Sequence, residues 1–209
     1  FPYTTLFRSG ALDIAQARLT ISGLSAQNKT YDGTTSWTGA ASTGLTVSSG
    51  QLFGSDNFGN VTLNFLDKNV SRDVNGNVLS DKTVTFSSVV LNDGNSGGNY
   101  TITSVANTSS TITPRALNIT GSRAYDATTA FATGVLSAQG VAGESFALTG
   151  SIASGALASA NRQSNATLLT QGTLALGSAA GGAVAGNYLP LAQASSSVSI
   201  TARPLVVTG

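Results

Sequence analysis

The chain has 209 residues, with ten basic and nine acidic side chains and no His, Cys or Met. That composition excludes Ser-His-Asp and Cys-His catalysis, imidazole and thiolate metal sites, haem ligation and disulfides. A net charge of +1 with 9% charged residues leaves no basic footprint for nucleic acid and no polybasic patch for an anionic membrane.

Residues 1–9 (FPYTTLFRS) lack the charged and apolar regions of a signal peptide and match nothing else in the chain. They read as foreign to the natural protein, and 1–13 is set aside as a non-repeat segment. The missing initial Met reads as the mark of a piece or a processed form. From there, β-branched residues, Gly/Asn/Asp clusters and sparse charge predict short strands joined by turns. The strands expected are Arg18–Ser22, Leu45–Ser48, Asn60–Leu66, Lys82–Leu91, Asn99–Val105 and Ser110–Thr113. Val61, Leu63 and Phe65 share one face of the third. In the fourth, Ser87-Ser88-Val89-Val90-Leu91 breaks the alternation that Val84 and Phe86 begin. Between these two strands, Val74-Asn75-Gly76-Asn77-Val78 predicts a hairpin tip on an Asn-Gly turn.

The chain then repeats itself. IAQARLTISG (14–23), ITPRALNITG (112–121) and ITARPLVVTG (200–209) align without gaps, and their final glycines stand 98 and then 88 residues apart. Lys29-Thr30-Tyr31-Asp32-Gly33 corresponds to Arg123-Ala124-Tyr125-Asp126-Ala127, and Gly98-Asn99-Tyr100 to Gly186-Asn187-Tyr188. Two tandem units follow, 14–113 and 114–202, with 203–209 as the first strand of a third. The extra length of the first unit is expected at Ser71–Asp81. Pro114, which lacks an N–H, suits a short stiff joint between the units. Seven or so short strands per unit, with no helical period, predict an all-β chain of tandem immunoglobulin-like sandwiches.

The joint pattern of K-T-Y-D-G-T-T, Asp67-Lys68-Asn69-Val70, G-N-Y and I-T-P-R-A-L-N-I-T-G resembles the YDG-type repeats of filamentous-haemagglutinin-like bacterial adhesins of the two-partner secretion type. That resemblance implies a secreted or cell-surface, non-catalytic stalk or spacer module without cofactors, whose partners are neighbouring repeats of the same chain. The alternatives are a module that binds glycan or a host protein directly, and a subunit of self-assembling extracellular filaments. The second unit departs from the pattern, with Ala127 after Asp126 and no Asp-Lys-Asn-Val run.

Each candidate site has a structural reading beside the functional one. Tyr31, Tyr125, Tyr100 and Tyr188 are expected to be buried, with Asp32 and Asp126 closing turns on the backbone two residues on. Asp73, Asn75, Asn77 and Asp81 are an oxygen-rich calcium candidate, but Gly76 falls at the fourth place, not the sixth of an EF-hand loop, and a hairpin turn explains the same residues. An isopeptide crosslink could use only Lys29, Lys68 or Lys82, all in the first unit. The uncharged run 163–202 is Gly, Ala, Ser and Gln rather than a strongly apolar span, so no membrane insertion is expected.

Overall fold

A computed structural model describes residues 13–39 and 44–206. Most of the N-terminal segment and the end of the third repeat segment, Gly209 included, therefore lie outside the described residues. Apart from single 3-10 turns at Ala185–Asn187 and Leu191–Gln193, all regular structure described is strand. The first strands are β1 (Ala17–Ser22), β2 (Asn28–Thr30), β3 (Thr46–Ser49), β4 (Asn57–Phe65), β5 (Lys82–Asn92), β6 (Tyr100–Ser104) and β7 (Asn107–Thr113). They are followed by β8 (Asn118–Ala124), β9 (Leu136–Gln139), β10 (Ser145–Thr149), β11 (Gln163–Ala166), β12 (Ala175–Ala180) and β13 (Ser195–Thr201). The sheets have the orders β3-β1-β6, β2-β7-β5-β4 and β11-β13-β8-β9-β10-β12.

By proximity the described chain falls into two compact units that interleave along the sequence. Of the described residues, one draws on 13–25, 37–39, 44–64 and 84–107; the other on 26–36, 65–83 and 108–206. In the first, Leu19, Ile21, Leu91 and Tyr100 are buried, with Phe58, Phe86, Val89 and Ile102 packed against them. Along β5 the buried side chains are Lys82 and Val84, then Leu91, so the inward face changes parity where the serines break the alternation. In the second unit Leu117, Ile119, Phe146, Leu148, Val198 and Ile200 are buried. Alternation of apolar and polar residues puts these side chains on one face of each strand, and their burial drives the sheet together.

The sequence repeat is visible in the strand pairing. Ala17 pairs in parallel with Tyr100, and Arg115 with Tyr188. Lys29 pairs in parallel with Ile112, and Arg123 with Ile200. First and last strands of each repeat thus run side by side in one shared register. In the second repeat β8 runs unbroken along β13; in the first, the same stretch is split into β1 and β2, which pair β6 and β7 in turn. Gly23, at the break, has φ +82°, and a Cβ there would stand 2.6 Å from the Gly44 carbonyl oxygen. Only glycine supplies that conformation and clearance at little cost.

The extra length of the first repeat is not at Ser71–Asp81. Gly23 and Gly121 are 98 positions apart, Lys29 and Arg123 are 94, and Tyr100 and Tyr188 are 88. Phe53 and Val141, matched below by their shared tyrosine contact, already stand 88 apart. The additional residues therefore lie between Gly23 and Lys29 and between Asp32 and Phe53, in loops where insertions cost little closure entropy. The hairpin tip itself does form, with an antiparallel bridge from Arg72 to Val78 and Gly76 at φ +84°. The second repeat spends an equal number of residues on a different path.

Candidate functional site

Two small constructions recur in both repeats. The first is the Tyr-Asp corner. The Asp32 carboxylate Oδ1 accepts from Thr34 N–H at 2.9 Å, from the Thr34 hydroxyl at 3.0 Å and from Lys29 Nζ at 2.8 Å. Lys29 also donates to the carbonyls of Thr34 and Ser36, and its ammonium lies 5.2 Å from the centre of the Phe65 ring. The second copy has the same wiring: Asp126 Oδ1 accepts from Thr128 N–H, the Thr128 hydroxyl and Arg123, and Arg123 reaches the Thr128 carbonyl and stands over Phe131. The peptide N–H of each tyrosine donates to the last strand, Tyr31 to Thr113 and Tyr125 to Thr201. Burial raises the Asp32 carboxyl, but the bonds from Lys29 and Thr34 outweigh it and hold the group below its ordinary value. The side-chain and backbone bonds from Thr128 do the same for Asp126.

The second construction joins a carboxylate to the Gly-Asn-Tyr tyrosine, and sequence reasoning missed its acidic half. The Tyr100 hydroxyl accepts from Phe53 N–H at 2.9 Å and donates to Asp56 Oδ2 at 2.5 Å. The Tyr188 hydroxyl accepts from Val141 N–H at 3.1 Å and donates to Glu144 Oε2 at 2.7 Å. The intervals are identical: the N–H lies 47 residues and the acid 44 residues before the tyrosine in both copies. Each acid closes a turn onto that same residue, Asp56 N–H to the Phe53 carbonyl and Glu144 N–H to the Val141 carbonyl.

The two constructions meet at Tyr31. Its ring is fully buried and stands edge-on to Tyr188, with centroids 5.5 Å apart at 80°. Phe146 meets Tyr188 in the same manner at 5.7 Å. The Tyr31 hydroxyl donates to Glu144 Oε1 at 2.7 Å, and Lys68 approaches the same oxygen at 3.4 Å. Glu144, 2% exposed, is thus a buried carboxylate with three donors. Burial, then the bond to Glu144 and its charge, push the Tyr31 phenol from 10.0 up to about 12. Burial and Glu144 push Tyr188 up as well. Burial raises Glu144, but the bonds from Tyr188, Tyr31 and Lys68 prevail and hold it below the usual carboxylate range. Close by, Asn187 accepts from Val70 N–H at 2.8 Å and donates to Asn69 Oδ1 at 2.8 Å, which gives the Asp-Lys-Asn-Val run its structural use.

The remaining candidates are placed as follows. Tyr100 and Tyr188 are buried as expected, but Tyr125 is 38% exposed. The expectation of a buried Tyr125 fails because nothing in the described chain supplies it with the carboxylate and ring that cover Tyr31. Asn99 is exposed and bonds Asp93 and Asn95, unlike its buried counterpart Asn187. Asp73 spends its carboxylate on the N–H groups of Asn75 and Asn77 and on the Asn77 amide, while Asp81 stands exposed just before β5. Among the described residues no three His, Cys, Asp or Glu side chains gather into a metal-binding group. The Lys82 ammonium pairs with Asp67 at 2.6 Å.

What this arrangement can do chemically is hold chain segments together. The buried Glu144 carboxylate accepts from Tyr31, Tyr188 and Lys68 and is almost shut off from solvent. No curated protein and no solved structure matches the chain. Residues 15–111, just under half of the chain and including the Tyr31-Asp32-Gly33 corner, match the family model described as the YDG domain.

Proposed function

We propose that the chain is a non-catalytic spacer from the stalk of a secreted or cell-surface bacterial adhesin, built from two immunoglobulin-like repeats. The observation that carries this reading is the Tyr31–Glu144–Tyr188 closure, in which the most recognisable motif of one repeat is consumed in holding part of the next. Motif residues spent in this way are unavailable to a soluble ligand. The YDG match and the parallel pairing of first and last strands in each repeat support the same reading. Repeats stabilised mainly by their neighbours tolerate variation in loop length, as found here.

The test is binding of the intact chain to arrays of glycans and immobilised extracellular-matrix proteins. A spacer gives no saturable signal at micromolar concentration. Saturable binding that disappears on mutation of an exposed loop residue would replace the spacer with a direct binding module.

A further inference from the structure

Among the described residues, the acid–tyrosine corner of the first repeat receives no second hydroxyl, and the Tyr125 hydroxyl of the second repeat enters no corner. Asp56 stands where Glu144 stands, and its Oδ2 takes the Tyr100 hydroxyl. No described residue bonds its Oδ1, the counterpart of the oxygen that takes Tyr31 on Glu144. Tyr125 stands where Tyr31 stands, 38% exposed, and its hydroxyl bonds no described residue.

We propose that Tyr125 of one chain docks on the Phe53–Asp56 turn of a second copy of this chain, its hydroxyl donating to Asp56 and its ring meeting Tyr100 edge-on. The internal closure is the template, and a paired substitution of small residues selects this occupant. In the template, Gly33 faces the Val141–Glu144 turn so closely that a Cβ on it would lie 3.1 Å from the Ala142 Cβ. The exposed corner has Ala127 in place of Gly33, with the same left-handed backbone, φ +63° against +80°. A turn carrying a methyl at the Ala142 position would crowd Ala127. The turn of the first repeat has Gly54 at that position, φ +59° against +52° for Ala142, and a Cβ built there meets nothing within 4 Å. The methyl has moved from the receiving turn to the entering corner, so the two free halves fit each other. The Glu144 corner is in any case already filled by Tyr31.

The contact is heterologous, with different surfaces on the two partners, so each chain added leaves one free corner and one free tyrosine. It is weaker than the internal closure. The positions 88 residues after Lys68 and Asn69 are Ala156 and Leu157, which cannot repeat the bonds to the acid and to the Gly-Asn-Tyr asparagine. Assembly should therefore depend on concentration.

Sedimentation equilibrium of the intact chain tests this, with a mass readout separate from the ligand-binding test of the spacer reading. The average mass should rise past that of a dimer as concentration approaches millimolar. Tyr125→Ser and Asp56→Ala should each stay monomeric, whereas their equimolar mixture should stop at dimers, because each supplies one intact half. Gly54→Ala restores the crowding methyl without removing a polar group and should weaken association at least tenfold; it serves also if Asp56→Ala fails to fold. A wild-type chain that stays monomeric at millimolar concentration overturns the proposal. So does unchanged assembly of Tyr125→Ser, or growth of the mixture beyond dimers.

Discussion

Removing one oxygen atom from Tyr31 tests the closure, because the same change at Tyr125 supplies an internal control. Tyr31→Phe keeps the ring against Tyr188 but deletes a donor to a carboxylate that is 2% exposed. A hydrogen bond to a charged group contributes about 1.5–3 kcal/mol, and a buried acceptor left short of a donor adds to the loss. Glu144 retains Tyr188 at 2.7 Å and Lys68 at 3.4 Å, so the expected cost is about 2 kcal/mol. Tyr125→Phe removes a hydroxyl without a described partner from a ring that is 38% exposed, and should change stability by less than about 0.5 kcal/mol. Urea denaturation followed by tyrosine fluorescence and circular dichroism, at concentrations low enough to exclude association, measures both. Equal costs for the two variants, or a Tyr31→Phe loss below about 0.5 kcal/mol, would refute the claim that the Tyr31–Glu144 bond holds the second unit together.

Two other outcomes follow from the same geometry. Tyr31 has a folded value raised from 10.0 to about 12, so its contribution is intact below pH 10 and is lost as pH rises towards 12. Glu144 is depressed, so its contribution is present above the ordinary carboxylate value and disappears only as pH falls through the lower folded one. Stability measured against pH should show both limbs, and Glu144→Gln should flatten them. At the corners, Gly33→Ala should destabilise by about 1–2 kcal/mol, because φ is +80° and the new methyl crowds Ala142. Ala127→Gly should stabilise by about 0.5–1 kcal/mol by relieving φ +63°, as read from thermal unfolding midpoints.

Much of this was legible in the sequence because it is local. Alternation located most strands of the first repeat, and in-phase landmarks located the repeat whose parallel register Ala17–Tyr100 and Arg115–Tyr188 display. Lys29 and Arg123, which the repeat aligns, serve one purpose on Asp32 and Asp126. The acid–tyrosine corner was harder to see. Asp56 and Glu144 are different residues in dissimilar surroundings, and their only signal is the shared interval of 44 residues to the landmark tyrosine. The conspicuous Asn-Gly hairpin drew the length difference to Ser71–Asp81, although an alignment through that interval would have moved it upstream. Tyr125 was expected to be buried because the motif around it matches Tyr31. Burial depends on what stands opposite, and no local pattern encodes that.

The closure around Glu144 also bears on how the chain acquires its fold. Tyr31 and Glu144 are 113 residues apart, and Asn69 and Asn187 are 118 apart. Non-local contacts of this length repay their loop-closure entropy only late, and they slow folding relative to local ones. A ribosome releases Ala26–Ser36 and Phe65–Thr83 long before Tyr188 exists, so those segments must wait without their final partners. The second repeat is thereby made responsible for finishing the first: Ala26–Ser36 and Phe65–Thr83 gain their final partners only once the Gly-Asn-Tyr segment has been made.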